Sequence, residues 1–315
     1  MNLSLPSETV ELADAVGRRL AAMAGEPPAA RVAALDDMGV LDVVGPESPD
    51  PDNGHLDAVV CLEGIGSAGL LGPFAETMWV RSARSELPRE GLVALPSSLT
   101  SARGLLIPYG AVAPRIGLPQ GDLVRAAPAA GASAAHVIVS EGHAWSDVPA
   151  GTSSFDQAAP GFAWRSGAAL TLGYLEKGLS MATSHARTRE QFGRPLESFQ
   201  AIAFRLAECR WRLTGLRHLV HEAAWRADRA QRQALPVSAL AWVYARRVGR
   251  VVGAHLHQVH GAIGFSGELG LTDLTGACLL LRATRPADLA VAAAWQERAE
   301  IPEQPPSTVY AGFRS

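Results

Sequence analysis

Three cysteines in 315 residues, Cys61, Cys209 and Cys278, are too few and too scattered for a disulfide framework. They also lack any metal-ligand spacing and read as buried free thiols of a reducing compartment. No run approaches the roughly 18 apolar residues of a membrane span. The opening stretch MNLSLPSETVELADAVGRRL lacks the apolar centre of a secretory signal, so a cytoplasmic location is expected. Charge of one sign is missing too: the net value of −3 gives no electrostatic footprint for nucleic acid. With 48% hydrophobic and 19% charged residues the chain is nevertheless rich enough in apolar surface to fold. Arginine far outnumbers lysine, which reads as base composition rather than mechanism. There is no tandem repeat and no low-complexity linker.

What is present divides into three textures. Residues 1–88 read as a helical domain. Ser7 is placed to cap a helix with Ala13, Val16, Leu20 and Met23 on its inner face. Gly39 is placed to stop a second helix holding Val32 and Leu35. A third begins near Leu56, after the turn-rich ESPDPDNG. Residues 89–155 carry the short apolar runs GLVAL, GLLIPYGAVA, DLVRAA and AHVIVSEG. These predict four or so strands of a small antiparallel middle domain, with Pro108 at an edge or turn. Residues 156–315 read as an antiparallel four-helix bundle. Ala168, Leu172, Leu175, Leu179, Ala182 and Ala186 form one seam in steps of three and four. Phe199, Ile202, Leu206, Cys209, Leu213, Leu216, Val220 and Ala223 form a second. Ala241, Tyr244, Val248, Val252, Leu256 and Val259 form a third, after Pro236 in a first helical turn. DLTGACLLLRATRPADLAVAAAWQERA would complete the bundle as two segments broken near Pro286. The expected class is mainly α with a small β layer.

Two stretches concentrate chemistry. RTREQFGRPLESFQ, residues 187–200, packs Arg189, Gln191, Phe192, Gly193, Arg194 and Pro195 between two seams. Its plain reading is a helix–helix connection in which Gly193 ends one helix and Pro195 prevents continuation. Its functional reading is a corner where a guanidinium grips a pyrophosphate and a phenyl ring covers an aromatic one. QVHGAIGFSGE, residues 258–268, spaces Gly261, Gly264 and Gly267 so that backbone can approach a ligand closely. It follows a helix, so it is not the strand-borne dinucleotide fingerprint.

Together, R-x-Q-F-G-R-P…F-Q and, some 60 residues on, Q-x-H-G-x-x-G-F…E resemble the acyl-CoA dehydrogenase family. The resemblance is strong over 160–275, fair over 1–85 and weak over 89–155. It implies a tetrameric FAD enzyme that removes hydrogens from Cα and Cβ of an acyl-CoA and passes electrons to an electron-transfer flavoprotein or similar acceptor. It also implies a flavin site shared between subunits, in which one chain's bundle holds the pyrophosphate and adenosine of its neighbour's cofactor. The positions carried over are Arg189, Gln191 and Phe192 in the first stretch, and Gln258, Gly261 and Ala262 in the second. Ala262 stands where a second glycine is usual.

The departures from the family pattern concern the base. The family places a catalytic glutamate at one of two positions, which here are Ala163, about 30 residues before Gly193, and Arg285, about 27 after Gln258. Neither is a carboxylate. Glu176 lies several turns along the first bundle helix, where a surface charge beside Lys177 is its plain role. Asp288 lies three residues from Arg285. The flavin-covering loops of the family's middle domain are missing, with Ser97, Ser98 and Thr100 as remnants or plain turn residues. The chain therefore resembles the degenerate subunits of actinobacterial heterotetrameric acyl-CoA dehydrogenases of the steroid side-chain type. That resemblance implies an α2β2 assembly whose partner supplies the glutamate. A self-sufficient homotetramer with a relocated base, and a non-catalytic acyl-CoA-binding or scaffold bundle, are the alternatives. No metal site is expected.

Overall fold

The computed structural model describes residues 5–44, 52–82, 92–95, 97, 100–101, 104–109, 115–120, 123–128, 133–137, 140–146, 155, 159–285 and 290–291. Four helices open the chain: α1 (Ser7–Ala22), α2 (Pro28–Asp37), α3 (Gly54–Ser67) and α4 (Phe74–Ser82). Val16 and Leu20 of α1 are buried as the spacing predicts. Ser7 does not cap: it is already helical, Pro6 holds the cap position, and the Ser7 hydroxyl turns to the Glu8 carboxylate. A proline ahead of the first turn presets the backbone there without a side-chain acceptor. Gly39, at φ 68° just beyond α2, takes the left-handed conformation that ends a helix. Helix α3 is buried on all sides from Leu56 to Leu62, because α1 and two bundle helices surround it.

The β layer is more divided than its sequence suggests. Its strands are β1 (Val93–Ala94), β2 (Thr100–Ser101), β3 (Gly104–Ile107), β4 (Arg115–Gln120), β5 (Leu123–Pro128), β6 (Ser133–Val137) and β7 (Ser140–Ser146). One sheet runs β1-β4-β5 and the other β2-β3-β7-β6. The β1–β4 pair is parallel and the others are antiparallel. AHVIVSEG, one run in the sequence, spans the end of β6 and the start of β7. Strand β4 is central yet contains Pro119. Strand β1 pairs only with Arg115 and Ile116, so the missing N–H lies beyond its reach. Pro108 falls in the turn after β3.

The bundle comprises α5 (Pro160–Thr188), α6 (Gln200–Asp228), α7 (Ala234–His260) and α8 (Leu271–Thr284). The α5 seam is buried from Ala168 to Ala186, and so are Cys209 to Ala223 of α6 and Val248 to Val259 of α7 at their seam positions. Apolar stripes repeating every three or four residues are buried here helix against helix. These seams and the N-terminal helices share one continuous hydrophobic core. Glu176 is no isolated surface charge. It bridges Arg210 at 2.7 Å and Arg217 at 2.8 Å, and Arg217 in turn holds Glu63 of α3 at 2.6 Å. Pro286, Asp288 and Ser98 lie outside the described residues.

The last residue of α6 helps hold α3 in place. The Asp228 carboxylate accepts the backbone N–H groups of His55 at 2.7 Å and Leu56 at 3.0 Å, serving as the N-terminal cap that α3 lacks locally. Arg165 donates to His55 Nδ1 at 2.8 Å, which requires a neutral imidazole. Burial, then the Arg165 charge, lowers the His55 pKa to about 3. Burial raises Asp228 to about 6, against the pull of its N–H donors and Arg165. The two shifts act oppositely on stability. The depressed histidine contributes stability above its unfolded pKa that is lost as pH falls toward 3. The raised aspartate contributes stability at low pH that is lost as pH rises through 6. Between pH 7 and 5 they offset each other to within about 1 kcal/mol. His55→Asn keeps an acceptor for Arg165 but cannot charge. Relative to wild type it should gain about 2 kcal/mol on going from pH 7 to pH 5. Urea midpoints at both pH values check this, and parallel pH responses of the two proteins would refute it.

Candidate functional site

At one end of the bundle α5 stops at Thr188, and Arg189 leaves the helix in an extended conformation. The next residues form a hairpin rather than a plain helix connection. Strand β8 (Glu190–Gln191) pairs with β9 (Arg194–Pro195), and the Leu196 N–H closes back on the Arg189 carbonyl at 2.9 Å. Gly193 therefore does not end the helix; it shares a two-residue turn with Phe192. Both turn residues have positive φ, 54° for Phe192 and 75° for Gly193, as a right-twisted hairpin needs. The first of these positions favours asparagine or glycine. A phenylalanine there costs about 1 kcal/mol. Yet the ring is 92% exposed, lying edge-to-face with Phe199 at 6.2 Å between centroids. Arg194 stacks on the same Phe199 at 4.1 Å. Arg189 and Gln191 are exposed, and Arg189 forms no ion pair among the described residues.

The glycine loop lies at the same end. Gln258 is exposed in the last turn of α7. Gly261 then turns the chain with φ 65° and ψ −141°, a conformation that excludes other residues, and nothing stands within 4 Å of where its Cβ would be. Ala262 follows, exposed, in a short 3-10 turn. Gly264 is needed for packing instead: a Cβ there would stand 2.9 Å from the His260 Cβ. Ile263 and Phe265 project into solvent, and Phe265 stacks on His257 at 4.7 Å. The two stretches are joined by a contact the sequence reading missed. The rings of His185, in the last turn of α5, and His260, at the end of α7, lie 4.9 Å apart. Its only sequence signal is that His185 stands four residues before Arg189, in the last turn of α5.

Ala163 and Arg285, the positions expected for a base, are both buried. Arg285 Nη2 bonds Glu76 of α4 at 2.6 Å, and its guanidinium lies over Phe155 at 5.3 Å. Its carbonyl accepts from Trp242 at 3.2 Å and from Arg246 at 2.8 Å. Gly167 makes room for it, since a Cβ there would come within 2.9 Å of Arg285 Nη1. Burial, and after it the Glu76 charge, pushes the Tyr109 hydroxyl well above its usual pKa. Glu76, which pairs with Arg285, is the carboxylate that sequence reasoning overlooked, because 209 residues separate the two. Among the described residues no cluster of histidine, cysteine and carboxylates could hold a metal ion, and no helix is long and apolar enough to cross a membrane.

Comparison with known proteins agrees with this layout. Residues 165–295 match the family model described as acyl-CoA dehydrogenase, C-terminal domain. The helical bundle is thus similar to the C-terminal domain of acyl-CoA dehydrogenases. Acyl-CoA dehydrogenase FadE27 of Mycobacterium tuberculosis is 42% identical to this chain over 103 residues, a stretch that covers 30% of this chain and 28% of that protein. The curated relatives are thus matched over little more than a quarter of their length. The acyl-CoA dehydrogenase fold extends beyond the bundle. A chain of the ChsE4–ChsE5 complex from Mycobacterium tuberculosis superposes with a TM-score of 0.68 at 23% identity, over 96% of this chain and all of the other. PigA, in a structure with FAD and proline, gives 0.69 at 15% identity, over 95% and 99%. At such identities the two structures establish the fold alone.

Proposed function

We propose that this chain is a subunit of an FAD-dependent acyl-CoA dehydrogenase and that it holds the pyrophosphate and adenosine end of a flavin whose ring and catalytic glutamate belong to a partner chain. The observation that carries the reading is Phe192, a strained and almost wholly exposed ring three residues after Arg189, which has no ion pair among the described residues. Strain at an exposed position persists where it serves a contact. The residues fit the group: Arg189 offers a bidentate grip on a pyrophosphate, Gln191 and Gln258 offer amides, and Gly261 and Ala262 present backbone without obstruction. When bound, the flavin supplies the hydride acceptor. This chain's part is to bind and orient it. A buried Arg285–Glu76 pair where a base is expected supports a site completed elsewhere, as does the likeness to a chain of a two-protein complex. The assembly is read as α2β2, with 1–88, 89–155 and 156–315 as the domains of this subunit. The substrate is an acyl-CoA of bulky, steroid-type acyl group, for which the reduced middle segment leaves space. An electron-transfer flavoprotein or similar carrier takes the electrons.

The test is to purify the tagged chain from its own cells with whatever dehydrogenase subunit accompanies it. Flavin should number one per pair of unlike chains. Arg189→Ala should weaken FAD retention about 10- to 100-fold, the loss of a charge-assisted hydrogen-bonded pair. Unchanged flavin content in that variant would exclude the role. One FAD per chain in a homo-oligomer would favour a self-sufficient enzyme instead.

A further inference from the structure

The His185–His260 contact lies at the anion corner and has no role in the reading above, on which this inference rests. His260 is 95% buried, taking its 5% exposure as the remainder. Its Nδ1 donates to the Leu256 carbonyl at 2.8 Å, and its Nε2 is buried with no hydrogen-bond partner among the described residues. His185 packs its ring against this one and is itself only partly covered. Both imidazoles sit in the last turns of their helices, where the carbonyl ends favour a cation.

We propose that His185 is a further member of the pyrophosphate site, an imidazole that takes up a proton when a pyrophosphate diester binds at Arg189, so that binding tightens as pH falls. The charges around it make this a binding-linked change. The cations acting on it are Arg189, just past the end of its own helix, and His260 of α7. Arg187 at the same end is paired with Glu197 at 3.4 Å, and Arg194 of the hairpin is stacked on Phe199. Burial first, then His260 and Arg189, holds the free imidazole below its usual pKa and therefore neutral at pH 7. An anion seated on Arg189 cancels that guanidinium's repulsion and adds an attraction, so the bound state binds one more proton than the free state. By linkage the affinity then rises as pH falls through the window between the free and bound values.

The experiment uses FAD itself, whose pyrophosphate diester does not titrate near neutrality, rebinding to the co-purified assembly after its flavin is stripped. Titration calorimetry in two buffers of different ionisation enthalpy reads affinity and proton uptake together. For the wild-type chain, affinity should rise about tenfold from pH 7.5 to pH 5.5, with proton uptake approaching one per FAD in between. His185→Gln should still bind FAD but with a flat profile and no uptake. If the wild-type and His185→Gln assemblies show the same pH profile, sloping or flat, the proposal is wrong while the flavin reading stands. If Arg189→Ala leaves FAD affinity untouched at every pH, the corner is not an anion site and both fall.

Discussion

Gly173→Ala should destabilise the chain by about 3 kcal/mol, read as a lower urea midpoint, although alanine is the better helix former by about 1 kcal/mol. Helices α3 and α5 touch through their backbones. A Cβ on Gly173 would overlap the Glu63 carbonyl oxygen and stand 2.9 Å from both the Gly66 Cα and the Ser67 nitrogen. None of these is a side-chain tip that could rotate away. Nor is α3 free to retreat, since Asp228 caps its first turn and Arg217 holds Glu63 from α6. Gly66→Ala should cost less, because its Cβ would meet Gly173 Cα, Leu170 O and Tyr174 N all at 3.0 Å, a crowding that a small shift relieves. Gly17→Ala is the control. It lies in α1 with nothing within 4 Å, and the substitution should raise stability by about 0.5–1 kcal/mol. A Gly173→Ala protein as stable as wild type would mean that the helices do not approach so closely.

What could be read from the sequence follows from the range of the interaction concerned. The three bundle seams are local, since one helix's own spacing decides which face is apolar, and Leu172, Leu213 and Val252 are buried as the spacing requires. Gly39 was legible for the same reason. The β layer was less so, because AHVIVSEG, with no glycine or proline before Gly142 to divide it, contributes to two strands. The hairpin at 190–195 was hidden by its own chemistry. Phe192-Gly193 is an unusual pair for a turn with two positive φ angles, so the stretch read as a helix stop. The candidate site divides in the same way. Arg189, Gln191, Phe192, Gln258, Gly261 and Ala262 stood out by residue type within short stretches, and the structure brings both stretches to one end of the bundle. The His185–His260 contact and the Asp228 cap on α3 join residues far apart in the chain and leave no periodic trace.

The Arg285–Glu76 pair makes the second large prediction, and it bears on why an arginine occupies a position where the family expects a base. Arg285→Met should destabilise the chain by about 3–5 kcal/mol, because it leaves Glu76 buried without the counter-charge it now has. The double variant Arg285→Met with Glu76→Met should recover most of that loss, since replacing both partners of a buried pair by apolar side chains is often nearly neutral. Calorimetric or urea unfolding of the two single variants and the double one isolates the coupling. Additive losses would show that the two residues act separately and that the pair is not what holds α4 to the end of α8. Arg285→Glu is the sharper case. It restores the carboxylate type at that position, but it sets two carboxyl groups in one buried site, where they cannot both ionise. The expected result is a less stable chain with no gain in dehydrogenation. A gain would mean that this chain still has its own acyl site and that a single side chain silences it. The packing argues otherwise, because the guanidinium, Glu76, Trp242 and Gly167 are fitted to one another on four separate segments, and such a fit is not undone by changing one residue.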